Sequence, residues 1–144
     1  MERTVVLIKP DGMQKKIVGT IIDRFEREGL QLIGLKLINL TQEMLETWYA
    51  HHKDKPFFKD LSEFMKKTPV VAMVLKSPNA VNRVREVIGP TDSTKAPKGT
   101  IRGDLGTDNI LDANREGRPV YNLIHASGSK EEAEKEINLW FGQE

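Results

Sequence analysis

Apolar positions along the chain repeat at two periods, and the changes of period mark the elements. Thr4 to Ile8 is a compact β-branched run that reads as a buried strand. Pro10-Asp11-Gly12 ends it with turn chemistry. Ile17, Ile21, Ile22 and Phe25 then recur at helical spacing, and Gly29 stands where a left-handed residue would close that helix. Leu30 to Leu40 reads as a long strand. Thr41 opens a helix with Met44, Leu45 and Trp48 on its inner face. Pro56-Phe57-Phe58 breaks the pattern, and Leu61 to Lys67 forms a second short helix.

Val70 to Leu75 is another apolar strand. Pro78 stands at the start of a helix whose buried stripe is Val81, Val84, Val87 and Ile88. From Gly89 to Pro119 no period is visible and Gly, Pro, Asp, Asn and Thr dominate, so an extended functional loop is expected. Tyr121 to Ile124 is the last strand. Ser129 opens the last helix, with Glu132 at capping-box spacing and Ala133, Ile137, Trp140 and Phe141 as the apolar stripe. With the extra helix pair set aside, the order contains a split β-α-β pattern. The expected class is α/β (α+β), with a ferredoxin-like four-stranded antiparallel sheet, helices on one face and a single domain over residues 1–144. A doubly wound parallel sheet is the alternative.

Charge changes the picture by exclusion. With 22 basic and 21 acidic residues the net charge is +1, so no broad field draws DNA or anionic lipid. A charged partner must be met by local placement of side chains. There is no cysteine, which removes disulfides, thiol catalysis and thiolate metal sites. No apolar run approaches a membrane span and no secretory leader is recognised, so no membrane partner and a cytoplasmic location are expected. Neither a Gly-x-x-x-x-Gly-Lys-Ser/Thr loop nor a Gly-x-Gly-x-x-Gly fingerprint is present. Asp112-Ala-Asn114 opens like a calcium loop, but the twelfth position is Leu123, which supplies no carboxylate.

Three histidines remain as candidates for chemistry. His51 and His52 lie on a polar stretch and read as a solvated helix face. His125 ends an apolar strand and precedes Ala-Ser-Gly-Ser and a helix start. Small residues there let a ligand approach the backbone, and a helix N-terminus suits phosphate. A neutral imidazole with one tautomer held could attack phosphorus. Glu136, on the inner stripe of the last helix, is placed to hold the second ring nitrogen. Taken alone, this local pattern leaves a surface histidine beside an ordinary turn equally open. Lys9, Arg85 and Arg102 are each ordinary surface charges alone, but together they could clamp a polyphosphate. Phe57 or Phe58 offers a flat face to a base, with one of the pair expected in the core.

Four ordered segments carry a resemblance. Ile8-Lys9-Pro10-Asp11-Gly12, Lys55-Pro56-Phe57-Phe58, Gly99-Thr100-Ile101-Arg102-Gly103-Asp104 and Asn122-Leu123-Ile124-His125-Ala126-Ser127 closely resemble the nucleoside diphosphate kinase family. The ending Glu136-Ile137-Asn138-Leu139-Trp140-Phe141 is similar to that family's last helix. The resemblance implies a ping-pong exchange in which a nucleoside triphosphate, commonly ATP, phosphorylates His125. A nucleoside diphosphate then takes the group, with Mg²⁺ on the nucleotide phosphates. It implies that Lys9, Arg85, Thr91 and Arg102 contact phosphates and that Asn122 with Lys9 contacts the sugar. It further implies that Phe57 stacks on the base beside Leu61, and that Tyr49, Glu136 and Ser127 support His125. Broad nucleotide tolerance and a homo-oligomer, a hexamer or else a tetramer, follow from the same resemblance.

This chain departs from the family pattern at three places. Ala126 stands where Gly is usual, and Gly128 where Asp is usual. The connection from Arg102 to Asn122 is longer, with the extra stretch inside Gly106 to Pro119, expected as a solvated loop; a lid or a subunit contact are the alternatives. Two other functions stay open at this level: a single-stranded nucleic-acid binder, although the charge is balanced and no nucleic acid is expected, and a catalytically silent assembly module.

Overall fold

Strand β1 (Glu2–Ile8) sends alternate side chains into two separate cores. Val6 and Ile8 join one apolar cluster, while Val5 and Leu7 join the other. The computed structural model describes residues 1–142, and within them β1 sits inside a four-stranded sheet of order β2-β3-β1-β4. Strands β2 (Gln31–Ile38), β3 (Val70–Ser77) and β4 (Ile124–Ala126) complete it, and every pairing is antiparallel. The ferredoxin-like expectation therefore holds and the parallel alternative falls.

The expectation of helices on one face is corrected. Helices α2 (Val18–Arg27) and α5 (Ala80–Ile88) cover one face through Ile21, Phe25, Val84 and Ile88. Helices α3 (Gln42–Trp48), α4 (Phe57–Met65) and α8 (Lys130–Phe141) cover the other through Leu45, Phe58, Met65, Ile137 and Trp140. The reason is in β1 and β3, whose apolar residues are consecutive rather than alternating, so both faces must be buried. Among the described residues, no strand carries Phe, Tyr or Trp. The sheet thus offers no aromatic platform for stacking the bases of a nucleic acid.

Several boundaries differ from those the apolar period suggests. Pro10-Asp11-Gly12 is not a turn but the start of helix α1 (Pro10–Gln14), where proline's fixed φ suits the first position. Helix α4 begins at Phe57, four residues before the expected Leu61, because Pro56 leads directly into it. Helix α5 begins at Ala80 after a left-handed Asn79, φ 56°, rather than at Pro78. Gly29, φ 80°, closes α2 as expected.

Residues 89–119 are not an extended loop. They hold a 3-10 turn at Ser93–Lys95, helix α6 (Ile101–Leu105) and helix α7 (Ile110–Glu116). Side-chain caps, not apolar repeats, start all three: Asp92 accepts from Thr94 N at 3.0 Å, Thr100 from Gly103 N at 3.0 Å and Asn109 from Asp112 N at 2.7 Å. Residues 106–119 are likewise folded instead of a solvated loop. Ala113 is buried, and Arg118 clasps Asp108 through Nη1 at 2.6 Å and Nη2 at 2.9 Å. The calcium-like opening lies inside α7, where Asp112 is bonded to Asn109.

The last strand is shorter than expected. Leu123 takes φ 76°, a left-handed conformation that breaks the extended run, so β4 starts at Ile124. Ser129 caps α8 by accepting from Glu132 N at 3.1 Å. The reciprocal bond expected of a capping box lands one residue earlier, where Gly128 N donates to Glu132 Oε2 at 2.8 Å. That contact ties the backbone at Gly128 to the first turn of α8.

Candidate active site

The edge strand β4 pairs with β1 so that His125 lies opposite Leu7. A rigid, doubly buried strand thus fixes the imidazole's backbone. Behind the ring stands Glu136 of α8, only 4% exposed. His125 Nε2 is 3.1 Å from Glu136 Oε1 and 3.0 Å from Oε2. Ser127 Oγ donates to Oε1 at 2.7 Å and Trp48 Nε1 donates to Oε2 at 3.1 Å. The carboxylate therefore receives two donors of its own and holds the far nitrogen of the ring, which selects the tautomer whose Nδ1 is free.

His125 lines a cavity of about 250 Å³ together with Lys9, Tyr49, Arg85, Thr91, Arg102 and Asn122. Strand β1 delivers Lys9 at its end, α5 delivers Arg85 and α6 delivers Arg102. Lys9 Nζ donates to Asn122 Oδ1 at 2.6 Å, and Asn122 Nδ2 donates to the Thr91 carbonyl at 3.0 Å. Arg102 donates from Nε to the Asn122 carbonyl at 3.1 Å, from Nη1 to that of Gly89 at 3.0 Å and from Nη2 to that of Ile124 at 2.7 Å. A guanidinium carries five N–H groups, so two remain for a ligand.

Electrostatics follow from this crowding. Burial pushes the Lys9 ammonium down to about 8, with Arg102 adding to the shift and Asp11 opposing it. Burial and the Arg85 guanidinium lower Arg102 to about 10, so it keeps its charge at neutral pH. Burial, and secondarily the Glu136 carboxylate, raise the Tyr49 phenol above its usual range, leaving it protonated. The cavity is a set of cations held close together at a cost, which an anion would relieve.

A second cavity of about 600 Å³ adjoins the first, sharing Thr91 and Val120. Its walls include Phe57, Leu61, Ile110 and Ala113. Phe57 is 49% exposed while Phe58 is 6% exposed and in the core, as expected of the pair. One end of the joined cleft is cationic and the other apolar, matching a nucleotide's phosphates and base.

Lys9, Tyr49, Arg85, Thr91, Arg102, Asn122 and His125 line the first cavity, and Phe57 and Leu61 line the second. Glu136 and Ser127 stand behind the His125 ring, whereas Phe58 is in the core and His51 and His52 line neither cavity. Ser129 and Glu132 at the start of α8 line a further groove that His125 and Tyr49 also border, together with the exposed His51 and His52. The cations Lys9, Arg85 and Arg102 line the first cavity, on which His125 also opens. Three residues escaped sequence reasoning. Trp48 reaches Glu136, Asp11 Oδ2 accepts from Leu123 N at 2.8 Å, and Gly12 admits the 122–124 segment. A Cβ at Gly12 would sit 2.7 Å from the Leu123 carbonyl oxygen. The Pro-Asp-Gly spacing was a signal for the last two; nothing local marks Trp48. Among the described residues no cluster of His, Cys, Asp and Glu could hold a metal ion, and no helix is long and apolar enough to cross a membrane.

An imidazole aimed by a buried carboxylate into a cationic cavity, beside an apolar cleft, defines a nucleotide phosphotransferase on a ferredoxin-like sheet. The family model for nucleoside diphosphate kinase matches residues 2–144. A nucleoside diphosphate kinase from Pyrococcus furiosus is 49% identical over 100% of this chain and 85% of its own. Among solved structures, one from Borrelia burgdorferi, a transition-state mimic with bound vanadate and ADP, matches with TM-score 0.90 and 30% identity, covering 97% of this chain and 86% of that one. Another from Halobacterium salinarum, in complex with CDP, matches with TM-score 0.85 and 40% identity, covering 99% and 88%. The chain belongs to the nucleoside diphosphate kinase family.

Proposed function

We propose that the chain moves a terminal phosphoryl group between nucleotides through a phosphohistidine on His125. In the first half-reaction Nδ1 attacks the γ-phosphorus of a nucleoside triphosphate, commonly ATP. The P–N bond forms as the P–O bond to the β-phosphate oxygen breaks, and the diphosphate leaves. In the second, a terminal oxygen of another nucleoside diphosphate attacks the same phosphorus and the P–N bond breaks. The proton on Nε2 stays in place throughout, paired with Glu136, which offsets the positive charge the ring acquires.

Lys9, Arg85, Thr91 and Arg102 hold the phosphates and neutralise charge on the equatorial oxygens in flight. Asn122 with Lys9 meets the sugar. Phe57 stacks on the base and Leu61 packs beside it. Tyr49, Ser127 and Glu136 hold the His125 ring. Mg²⁺ arrives with the nucleotide as part of the substrate, since the cavity presents cations rather than a carboxylate cage. The apolar cleft puts no charged side chain beside Phe57 except Asp60 and Arg118, which suits tolerance of different bases. Bound ADP in one relative and CDP in another support the same tolerance. A cytoplasmic location suits a kinase of free nucleotides.

The exposed edge strand β2 supports assembly of copies into a hexamer or a tetramer. Ile33, Leu35 and Leu37 are 44, 54 and 64% exposed on it, an apolar edge that a lone subunit would leave wet.

The observation that carries the reading is Glu136 holding Nε2 while His125 shares a cavity with Lys9, Arg85 and Arg102. Incubation with γ-labelled ATP is expected to give an acid-labile, base-stable phosphoprotein. Equal labelling of a His125→Ala variant would refute it.

A further inference from the structure

We propose that Trp48 is a positioning residue for phosphoryl transfer: its indole N–H pins the Glu136 carboxylate, and through it the tautomer and tilt of the His125 ring. The inference rests on the reading of His125 as the nucleophile.

Trp48 Nε1 donates to Glu136 Oε2 at 3.1 Å across 88 residues of chain. An indole nitrogen can only donate, so this bond has a fixed direction. A hydroxyl is less committed. Ser127 Oγ lies 2.7 Å from Glu136 Oε1 and also 3.4 Å from the Val5 carbonyl, so it has a second acceptor to turn to. Trp48 is thus the group that holds one carboxylate oxygen in a single orientation. Glu136 is 4% exposed, so water is poorly placed to replace a lost donor.

With Trp48 on Oε2 and Ser127 on Oε1, the carboxylate plane cannot rotate, and the donor it still accepts is Nε2–H of His125. The Trp48 ring also meets the imidazole directly. The two centroids are 4.8 Å apart at 74°, an edge contact that limits how far the imidazole can tilt. Trp48 is itself held against Trp140, 4.8 Å away at 84°, and Tyr49, 4.4 Å away. Loss of the N–H frees Oε2, lets the carboxylate turn, and admits the tautomer in which a proton blocks Nδ1. In the transfer step P–N bond formation at Nδ1 needs that lone pair, and the proton must remain on Nε2.

Trp140 supplies the comparison. It also faces the His125 ring, 6.3 Å away at 87°, but its buried Nε1 has no hydrogen-bond partner among the described residues. It packs without pinning.

The test compares Trp48→Phe with Trp140→Phe. A third protein carries 3-benzothienylalanine at position 48, which keeps the indole's size and puts sulfur in place of the N–H. Three quantities are read: phosphoenzyme formation from ATP in rapid quench, the ATP dissociation constant, and the ¹⁵N shifts of the His125 ring without nucleotide. Both changes at position 48 are expected to slow phosphorylation by about tenfold or more, as loss of an outer partner does elsewhere. ATP affinity is expected to hold, and the ring shifts to move from a single Nε2–H pattern toward an average of two tautomers. Trp140→Phe is expected to keep the single pattern. A benzothienyl protein with the original rate and the original ¹⁵N pattern overturns the proposal, as does an equal shift from Trp140→Phe. The ¹⁵N readout does not require a phosphoenzyme, so it judges Trp48 separately. Absence of label on His125 in the unaltered protein would sink the nucleophile reading alone.

Discussion

Lys9 Nζ donates to Asn122 Oδ1 at 2.6 Å, joining the end of β1 to the turn that feeds β4. Both residues line the cationic cavity, so the bond fixes the lysine's head within it. Because Asn122 also donates to Thr91, one buried amide sets the distance between the cationic end and the apolar end of the cleft.

Lys9 makes activity depend on pH in the alkaline range. Burial lowers its ammonium from 10.5 to about 8, so the free protein loses this cation as pH rises through that value. Nucleotide phosphates favour the charged form and push the transition upward once bound. The expected outcome is a fall of kcat/KM on an alkaline limb near pH 8, with the limb in kcat displaced to higher pH. Between the two values the folded chain binds fewer protons than the unfolded one, so stability should rise with pH across that window while activity falls. A Lys9→Arg variant keeps its charge and should lose the limb. A limb that survives in Lys9→Arg assigns it to another group.

Arg102 is a brace as well as a cation. Its three bonds to the carbonyls of Gly89, Asn122 and Ile124 tie α6 to the end of α5 and to β4. A lysine has no planar fork and cannot span those acceptors together. Arg102→Lys should therefore cost about 1–3 kcal/mol in a urea unfolding titration, from carbonyls left without donors. It should also raise KM for the nucleotide. Unchanged stability with a raised KM would reduce Arg102 to a ligand contact.

What the sequence reveals divides by distance along the chain. The consecutive apolar residues of β1 and β3 required a sheet buried on both faces, although the helices were expected on one. Glu136 was visible because helical spacing puts it on the inner stripe of α8, eleven residues from His125. Helices α6 and α7 were hidden because Thr100 and Asn109 start them by hydrogen bonds, which leave no apolar period to read. The late start of the last strand was hidden in the left-handed Leu123, a residue type that does not advertise that conformation. Trp48 could be placed on the inner face of α3, but its partner lies 88 residues away, and only the packing of α3 on α8 brings them together.

The neighbours Phe57 and Phe58 should separate function from stability. Phe58 is 6% exposed in the core between α3, α4 and the sheet, so Phe58→Ala should cost about 3–5 kcal/mol. Phe57 is 49% exposed at the apolar end of the cleft. Phe57→Ala should leave stability within about 0.5–1 kcal/mol and raise KM for all nucleotides alike, because a lost stacking face is lost to every base. Thermal unfolding and initial rates with several diphosphates measure both. A loss confined to one base would contradict the stacking role.

The β2 edge makes assembly testable without touching the cleft. Leu35 and Leu37 are 54 and 64% exposed, and their replacement by lysine removes no buried contact of the subunit. Lysine is the residue edge strands commonly use to refuse a partner. Leu35→Lys combined with Leu37→Lys should leave the subunit folded, with unfolding shifted only as far as contacts between copies contribute. Sedimentation should then show a smaller species than the unaltered chain. If the unaltered chain already sediments as a monomer, the apolar edge has another purpose. If the double variant keeps the original size, the copies meet elsewhere, and the folded segment of residues 106–119, with Leu111 66% exposed, becomes the next surface to charge.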